Sequence, residues 1–181
     1  DHNPPKGVSH KTEYLMLSSQ NINHDRLVDL HKVRYVDSDT FTEENKRTDV
    51  HKGDILFTSV ATLGRSCVYE GGLNICFQRS VTVLTPIIDG AYLKRAFDSD
   101  YFQELVNVQA TGTAQRGFYI HQFEKALIPI PSLAEQKRIV AKIEELFAEV
   151  EAEQWSVEDA KPLCQSSGMF PASNVAPAGT T

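Results

Sequence analysis

The stretch IPIPSLAEQKRIVAKIEELFAEVEAEQ, residues 128–154, constrains this chain more than any other. Pro129 and Pro131 keep the backbone extended and remove two donors, Ser132 is placed to cap a helix, and Glu135 three residues later completes a capping box. Apolar side chains then fall at Ile139, Ile143, Leu146 and Val150, in alternating steps of four and three, with Leu133, Val140 and Phe147 widening the stripe. The spacing predicts one long helix over 132–155 whose apolar seam has to be covered. Residues 156–181, ending in CQSSGMFPASNVAPAGTT, have no periodicity and read as a disordered tail. The cover is therefore either the chain's own sheet or a second helix from elsewhere.

Charge is distributed to match. The net charge of -6 arises beyond residue 142, since residues 1–142 hold 17 Lys/Arg and 17 Asp/Glu while 143–181 hold one Lys and seven acids. Local patches in the neutral part, not the total, decide whether a polyanion binds there. The acids at 144–153 suit a helix held away from phosphates, where carboxylates cost affinity. No apolar run approaches the roughly 18 residues of a membrane span, and no leader opens the chain. Cys67, Cys76 and Cys164 lack metal-ligand spacing, which suggests reduced thiols and a cytoplasmic address.

Residues 1–131 read as one mixed domain. Tyr14–Leu17 is a strand running into the polar loop SSQNIN; Leu27–Val36 alternates loosely, and DSDTFTEENKR carries the caps of a short helix. DILFTSV, SCVYE, LNICF and SVTVLT are short strands punctuated by Lys52-Gly53, Gly64 and Gly71-Gly72, predicting one curled antiparallel sheet. From Ala91 to Ala110 the period is helical, broken near Asp98-Ser99 and ended by Gly112. A last strand, KALIPIP, leads into the long helix. The fold class expected is α/β of the α+β type: a small curved, mostly antiparallel sheet flanked by helices, with a long protruding C-terminal helix.

Three polar stretches carry donor and acceptor types suited to DNA. In TGTAQRGFY, Arg116 offers two donors matching guanine O6 and N7, Gln115 matches adenine N6 and N7, Thr113 suits a phosphate, and Gly112 and Gly117 allow close backbone approach. The same stretch also reads as a helix C-cap and an ordinary polar loop. In TSVATLGRS, Thr58, Thr62 and Arg65 decorate a loop, with Gln78 and Arg79 ending a neighbouring strand, and loops on a rigid sheet are where recognition residues sit. In KTEYLMLSSQNIN, Lys11, Ser19 and Asn21 can line a groove. Each of these residues taken singly is more often solvated surface. Asn3-Pro4-Pro5 is followed by Lys6 instead of an aromatic and is preceded by no glycine-rich turn, so it does not make a methyltransferase loop. The six histidines are scattered without ligand spacing, and no metal or other cofactor is expected.

GDILFTSVATLG, QATGTAQRGF and IPIPSLAEQKRIVAKIEELF, in this order and at this separation, resemble the specificity subunit of type I restriction-modification systems across about residues 14–152. The Pro-x-Pro-x-Leu-x-Glu-Gln-x-x-Ile-Val approach to the helix carries most of that resemblance. It implies a non-catalytic DNA-binding subunit, or half of one: a target-recognition domain over 1–131 and a conserved spacer or dimerisation helix over 132–155. Its implied partners are double-stranded DNA, N6-adenine methyltransferase subunits and a restriction and translocase subunit. The helix seam would take a second recognition domain or a second copy of the chain. About 23 helical residues span roughly 34 Å, near one turn of B-DNA, so the helix would set the spacing of the heads. In the family a Gly followed by Thr or Ser recurs at Gly112-Thr113 in members reading different sequences, which assigns that pair to scaffold or phosphate and leaves Gln115 and Arg116 for bases. The rival readings are an oligomerising module with a decayed recognition surface and a fragment of a fused restriction-methylation enzyme.

Overall fold

Turn residues interrupt the apolar runs often enough that no strand exceeds four residues among the described part of the chain. A computed structural model describes residues 4–112 and 115–160, with side chains through 152. The strands are β1 (Tyr14–Leu17), β2 (Arg34–Val36), β3 (Ile55–Thr58), β4 (Ser66–Val68), β5 (Asn74–Phe77) and β6 (Val81–Leu84). The helices are α1 (Ser38–Thr48), α2 (Gly90–Asp98), α3 (Asp100–Gln109), α4 (Ile120–Phe123) and α5 (Leu133–Ala160). The chain divides into two units, Asp1–Val140 and Ala141–Thr181.

The first unit is mixed α/β, as expected, but its strands form two sheets instead of one. In the first, β1 lies antiparallel to β2 and parallel to β5, with Leu15 opposite Tyr35 and Ile75. In the second, β3 is flanked antiparallel by β4 and β6, with Leu56 opposite Cys67 and Val83. The correction lies at Gly71-Gly72, which reads as a hairpin turn in the sequence. Both glycines take positive φ, 84° and 87°. Tyr69 Oη accepts from Leu73 N at 3.0 Å and donates to Leu73 O at 2.6 Å. A side chain thereby satisfies the groups a ladder would use, and the chain leaves for the other sheet.

Strand alternation sorts the core into layers. Leu56 faces Leu17, Ile75 and Phe77 of the first sheet. Ile55 and Phe57, on the other face of β3, meet Phe97, Phe102, Val106 and Phe118. Phe57 sits 4.9 Å edge-on from Phe123 and 5.6 Å from Phe97, geometries that add to simple burial. The outer face of the first sheet, Met16, Val36 and Cys76, is closed by α1 through Phe41, which stacks on Tyr14 at 4.7 Å. The order of layers is thus α1, first sheet, second sheet, then α2 and α3.

Helix ends carry side-chain caps, at Asp37 as the sequence suggested and at Ser99 within the break read there. Asp37 Oδ1 accepts from Thr40 N at 2.7 Å to start α1, and Ser99 Oγ accepts from Phe102 N at 3.3 Å to start α3. The strand expected in KALIPIP is absent from the ladders: Pro129 and Pro131 have no N–H to give, and the segment is held instead by Tyr92 Oη donating to Pro129 O at 2.8 Å. Ser132 Oγ accepts from Glu135 N at 3.3 Å, half of the expected capping box, while the Glu135 carboxylate pairs with Arg138.

Gln136 fixes the first turn of α5. It is 3% exposed, with Oε1 accepting from Asp89 N at 3.0 Å and Nε2 donating to Pro131 O at 2.8 Å. The α5 backbone continues through Ala160, past the boundary expected at 155, since neither Pro nor Gly occurs from 156 to 160. The remainder of the expected tail, 161–181, lies outside the described residues. In the second unit Leu146, Phe147 and Val150 are about half exposed, and Ile143 is partly buried. No helix among the described residues is long and apolar enough to cross a membrane.

Candidate nucleic-acid interface

Strands β1, β3 and β5 end at Leu17, Thr58 and Phe77, and the connections leaving those ends are tied to one another. Ser19 N donates to Ser80 Oγ at 3.1 Å, and Thr62 Oγ1 donates to Ser19 O at 3.2 Å. Ser59 N bonds Ser80 O, and Gln78 N bonds Leu17 O, both at 2.9 Å. Thr111, Gly117 and Phe118 join them: Val60 and Thr111 both pair with Gly117, and Phe118 N donates to Ser59 O at 2.8 Å. Parts of the three polar stretches singled out in the sequence, distant along the chain, thus meet at one end of the two sheets.

The 59–65 loop is tied down by hydrogen bonds. Thr58 is wholly buried; its Oγ1 donates to Thr62 O and accepts from Arg65 N at 3.0 Å. Gly64 takes φ +87° with the Gln103 amide against it, and Gln103 Nε2 donates to Gly64 O at 2.9 Å and to Phe97 O at 2.7 Å. Ala61, at φ +69°, is a left-handed alanine at the loop's tip.

This geometry separates the candidates. Arg65, Gln78, Arg79, Gln115 and Arg116 keep side chains at or near the surface of the cluster. The guanidinium groups of Arg65 and Arg79 have no hydrogen-bond or ion-pair partner among the described residues. Arg116 donates to the carbonyl of Asn107, in the last turn of α3, where the helix dipole favours a cation. Thr62 is half-buried and already donates to Ser19 O. Thr58, Ser19 and Asn21 correct the expectation, being 0%, 3% and 7% exposed. Asn21 Oδ1 accepts from Ser18 N at 3.1 Å and Nδ2 donates to Val28 O at 3.3 Å, so its amide closes a turn. Lys11 is exposed but precedes β1 and belongs to the opposite end of that strand. Thr113 lies outside the described residues.

Two features escaped the sequence reading. One is Gln136, whose role depends on meeting Asp89 from 47 residues away. The other is a groove of about 620 Å³ beside the loop cluster, lined by Arg47, Ser59, Arg79, Thr82, Tyr119 and His121 among others. Arg47, in the last turn of α1, donates to Phe77 O at 2.5 Å. The Tyr119 and His121 rings lie parallel, 6.3 Å apart.

Elsewhere the ionisable groups serve the fold. Lys94, 4% exposed, donates to Asp25 at 2.6 Å and Asp98 at 2.5 Å, tying the 23–26 loop to α2. Burial would raise the Asp25 carboxyl, but the hydrogen bonds and charges of Lys94 and Arg95 outweigh it and hold the group below the usual carboxylate range. Burial pushes the Cys67 and Cys76 thiols up to about 12, which makes both poor nucleophiles.

Comparison with known proteins places the chain in a family. The family described as Type I restriction modification DNA specificity domain matches residues 10–157. The type I restriction enzyme EcoBI specificity subunit of Escherichia coli is 29% identical over 140 residues, 76% of this chain and 29% of that protein. A protein named as a type I restriction enzyme specificity subunit, S.HindORF215P of Haemophilus influenzae, is 32% identical over 108 residues, 59% of this chain and 28% of its own length. The chain therefore spans under a third of the curated relatives it matches. The fold is shared with the crystal structure of the HsdS subunit from Thermoanaerobacter tengcongensis, at a TM-score of 0.55 and 22% identity, covering 71% of this chain and 36% of that one. With the family's description matching most of its length, the chain belongs to the type I restriction modification DNA specificity domain family.

Proposed function

We propose that this chain is a DNA-reading module of a type I restriction-modification complex, without catalysis of its own. The convergence of the 59–65, 78–80 and 111–118 connections at one end of two rigid sheets carries the reading. It gathers three arginines and two glutamines, residue types whose paired donors and acceptors discriminate guanine and adenine in the major groove. Arg65, Gln78, Gln115 and Arg116 contact a half-site of about 3 to 5 base pairs, while basic groups around them hold the phosphates.

The α5 seam, Ile139, Val140, Ile143, Leu146, Phe147 and Val150 with Leu133 at its start, takes a second helix, from a further recognition domain or a second copy. That pairing fixes the head relative to partner subunits that methylate adenine or cleave DNA, and the working compartment is the cytoplasm. Selection from random duplexes, followed by fluorescence anisotropy on the enriched site, tests the reading. Arg65→Ala or Arg116→Ala should each lower discrimination against a single base change by about 1–3 kcal/mol. Equal affinity of the native chain for enriched and scrambled duplexes at every salt concentration would refute sequence reading.

A further inference from the structure

The groove between the C-terminal end of α1, strand β6 and the Tyr119–Phe123 turn is assigned by none of the comparisons, and its chemistry differs from that of the loop tips. Arg79 lies on its rim, exposed and without a partner among the described residues. Arg47 is a second guanidinium, held in place by its bond to Phe77 O at 2.5 Å and 3.7 Å from the Glu44 carboxylate. Ser59 and Thr82 share a hydrogen bond across its floor and present hydroxyl oxygens, and Glu124 is an acid within the lining. One anchored guanidinium, Arg47, and one unpaired, Arg79, beside the hydroxyls of Ser59 and Thr82 suit a phosphodiester: they match phosphate oxygens and read no base.

Continuity with the loop cluster says which phosphodiester. Ser59 and Arg79 belong to both, Ser59 through its backbone bonds to Ser80 and Phe118 and Arg79 through the 78–80 connection. A major groove is about 12 Å wide and walled by phosphate rows, so loops inserted in it bring one row against the protein flank beside them. We infer that this groove holds the sugar-phosphate backbone of one strand of the duplex read by the loops, with Arg79 and Arg47 as its phosphate contacts. The inference rests on the DNA-reading function proposed above and adds the register-setting contact to it.

The test is fluorescence anisotropy of the full chain with a labelled duplex between 50 and 200 mM salt, with Arg79→Ala, Arg79→Glu and, as control, the exposed Lys52→Ala at the far end of β3. Each phosphate contact contributes about 0.9 to the slope of log affinity against log salt. Arg79→Ala should lower that slope by about 0.9, so that its deficit relative to the native chain shrinks about 3.5-fold from 50 to 200 mM. The loss should be equal on enriched and scrambled duplexes and larger for Arg79→Glu, with Lys52→Ala unchanged. Arg47→Ala, checked for folding by its melting curve, should subtract a comparable slope; if it melts, the two Arg79 variants decide alone. An unaltered slope in Arg79→Ala, with steep salt dependence in the native chain, overturns the groove assignment and leaves DNA reading standing. A loss confined to one sequence overturns it too, since Arg79 would then read a base. Absence of any salt-dependent binding by the native chain refutes the underlying function instead.

Discussion

Gln136 offers a quantitative test of how α5 is rooted. Its amide makes two hydrogen bonds, to Asp89 N at 3.0 Å and Pro131 O at 2.8 Å, from a site 3% exposed. Each is worth about 1 kcal/mol net. Both partner residues are only half-buried, so water recovers part of the penalty of leaving their backbone groups unpaired. Gln136→Ala should therefore cost about 2 kcal/mol, a fall in melting temperature of roughly 6 °C for a unit of this size. Gln136→Glu keeps the acceptor for Asp89 N but turns a carboxylate oxygen toward the Pro131 carbonyl. Burial and that carbonyl raise the introduced carboxyl's folded pKa above its unfolded value. The stability tied to its protonated form is therefore complete below the unfolded pKa and lost as pH rises through the folded one. The glutamate variant should match the alanine variant near pH 7 and regain stability toward pH 4, where a neutral carboxyl donates to Pro131 O. Urea unfolding at several pH values, with hydrogen exchange of the Glu135–Val140 amides, reads both effects. An alanine variant within 0.5 kcal/mol of the native chain and a glutamate variant with an unshifted pH profile would refute the rooting described above.

Phe57→Ala removes the ring shared by Phe97, Phe102, Phe118 and Phe123 and should cost about 3–5 kcal/mol by denaturant unfolding, a large part of a domain's whole stability. Asp25 has a depressed folded pKa, so its contribution is present above its ordinary value of 3.8 and lost as pH falls through the folded value. Asp25→Asn should therefore lower stability at pH 7 and narrow the gap to the native chain in acid, a modest effect because the Asp25 side chain is 60% exposed. Cys67 and Cys76 should resist iodoacetamide at pH 8 in the folded protein and react on unfolding, with the labelled sites located by mass spectrometry.

Local chemistry was legible in the sequence where the determinant and its effect lie within a few residues. Asp37 and Ser132 cap the helices that their spacing implied, and the break at Asp98-Ser99 separates α2 from α3. What pairs with what was less legible. SCVYE and LNICF look like a hairpin because two glycines separate them, and the Tyr69 hydroxyl that turns the chain away carries no periodic signal. The candidate site divides along the same line. Arg65, Arg79 and Arg116 are recognisable by type in polar loops. The inward turn of Asn21 and Thr58 depends on partners at Val28 and Thr62 that become acceptors only once the loops close. Gln136 was visible as part of a motif, yet its reason, an unpaired amide at Asp89, lies 47 residues away.

The departure of β5 from its neighbours bears on how such a domain can be rearranged. Because β5 completes the first sheet and β6 then returns to β3, the chain crosses between sheets twice within Tyr69–Val81, and neither sheet is encoded by a continuous segment. A recombination joint placed between those crossings would pair strands of one parent with strands of the other within a sheet. If the loops read DNA as proposed, changing their tips or exchanging the whole of residues 1–131 would alter the reading with both sheets intact, and chimaeras of distant parents joined inside that short interval should be less stable than either parent.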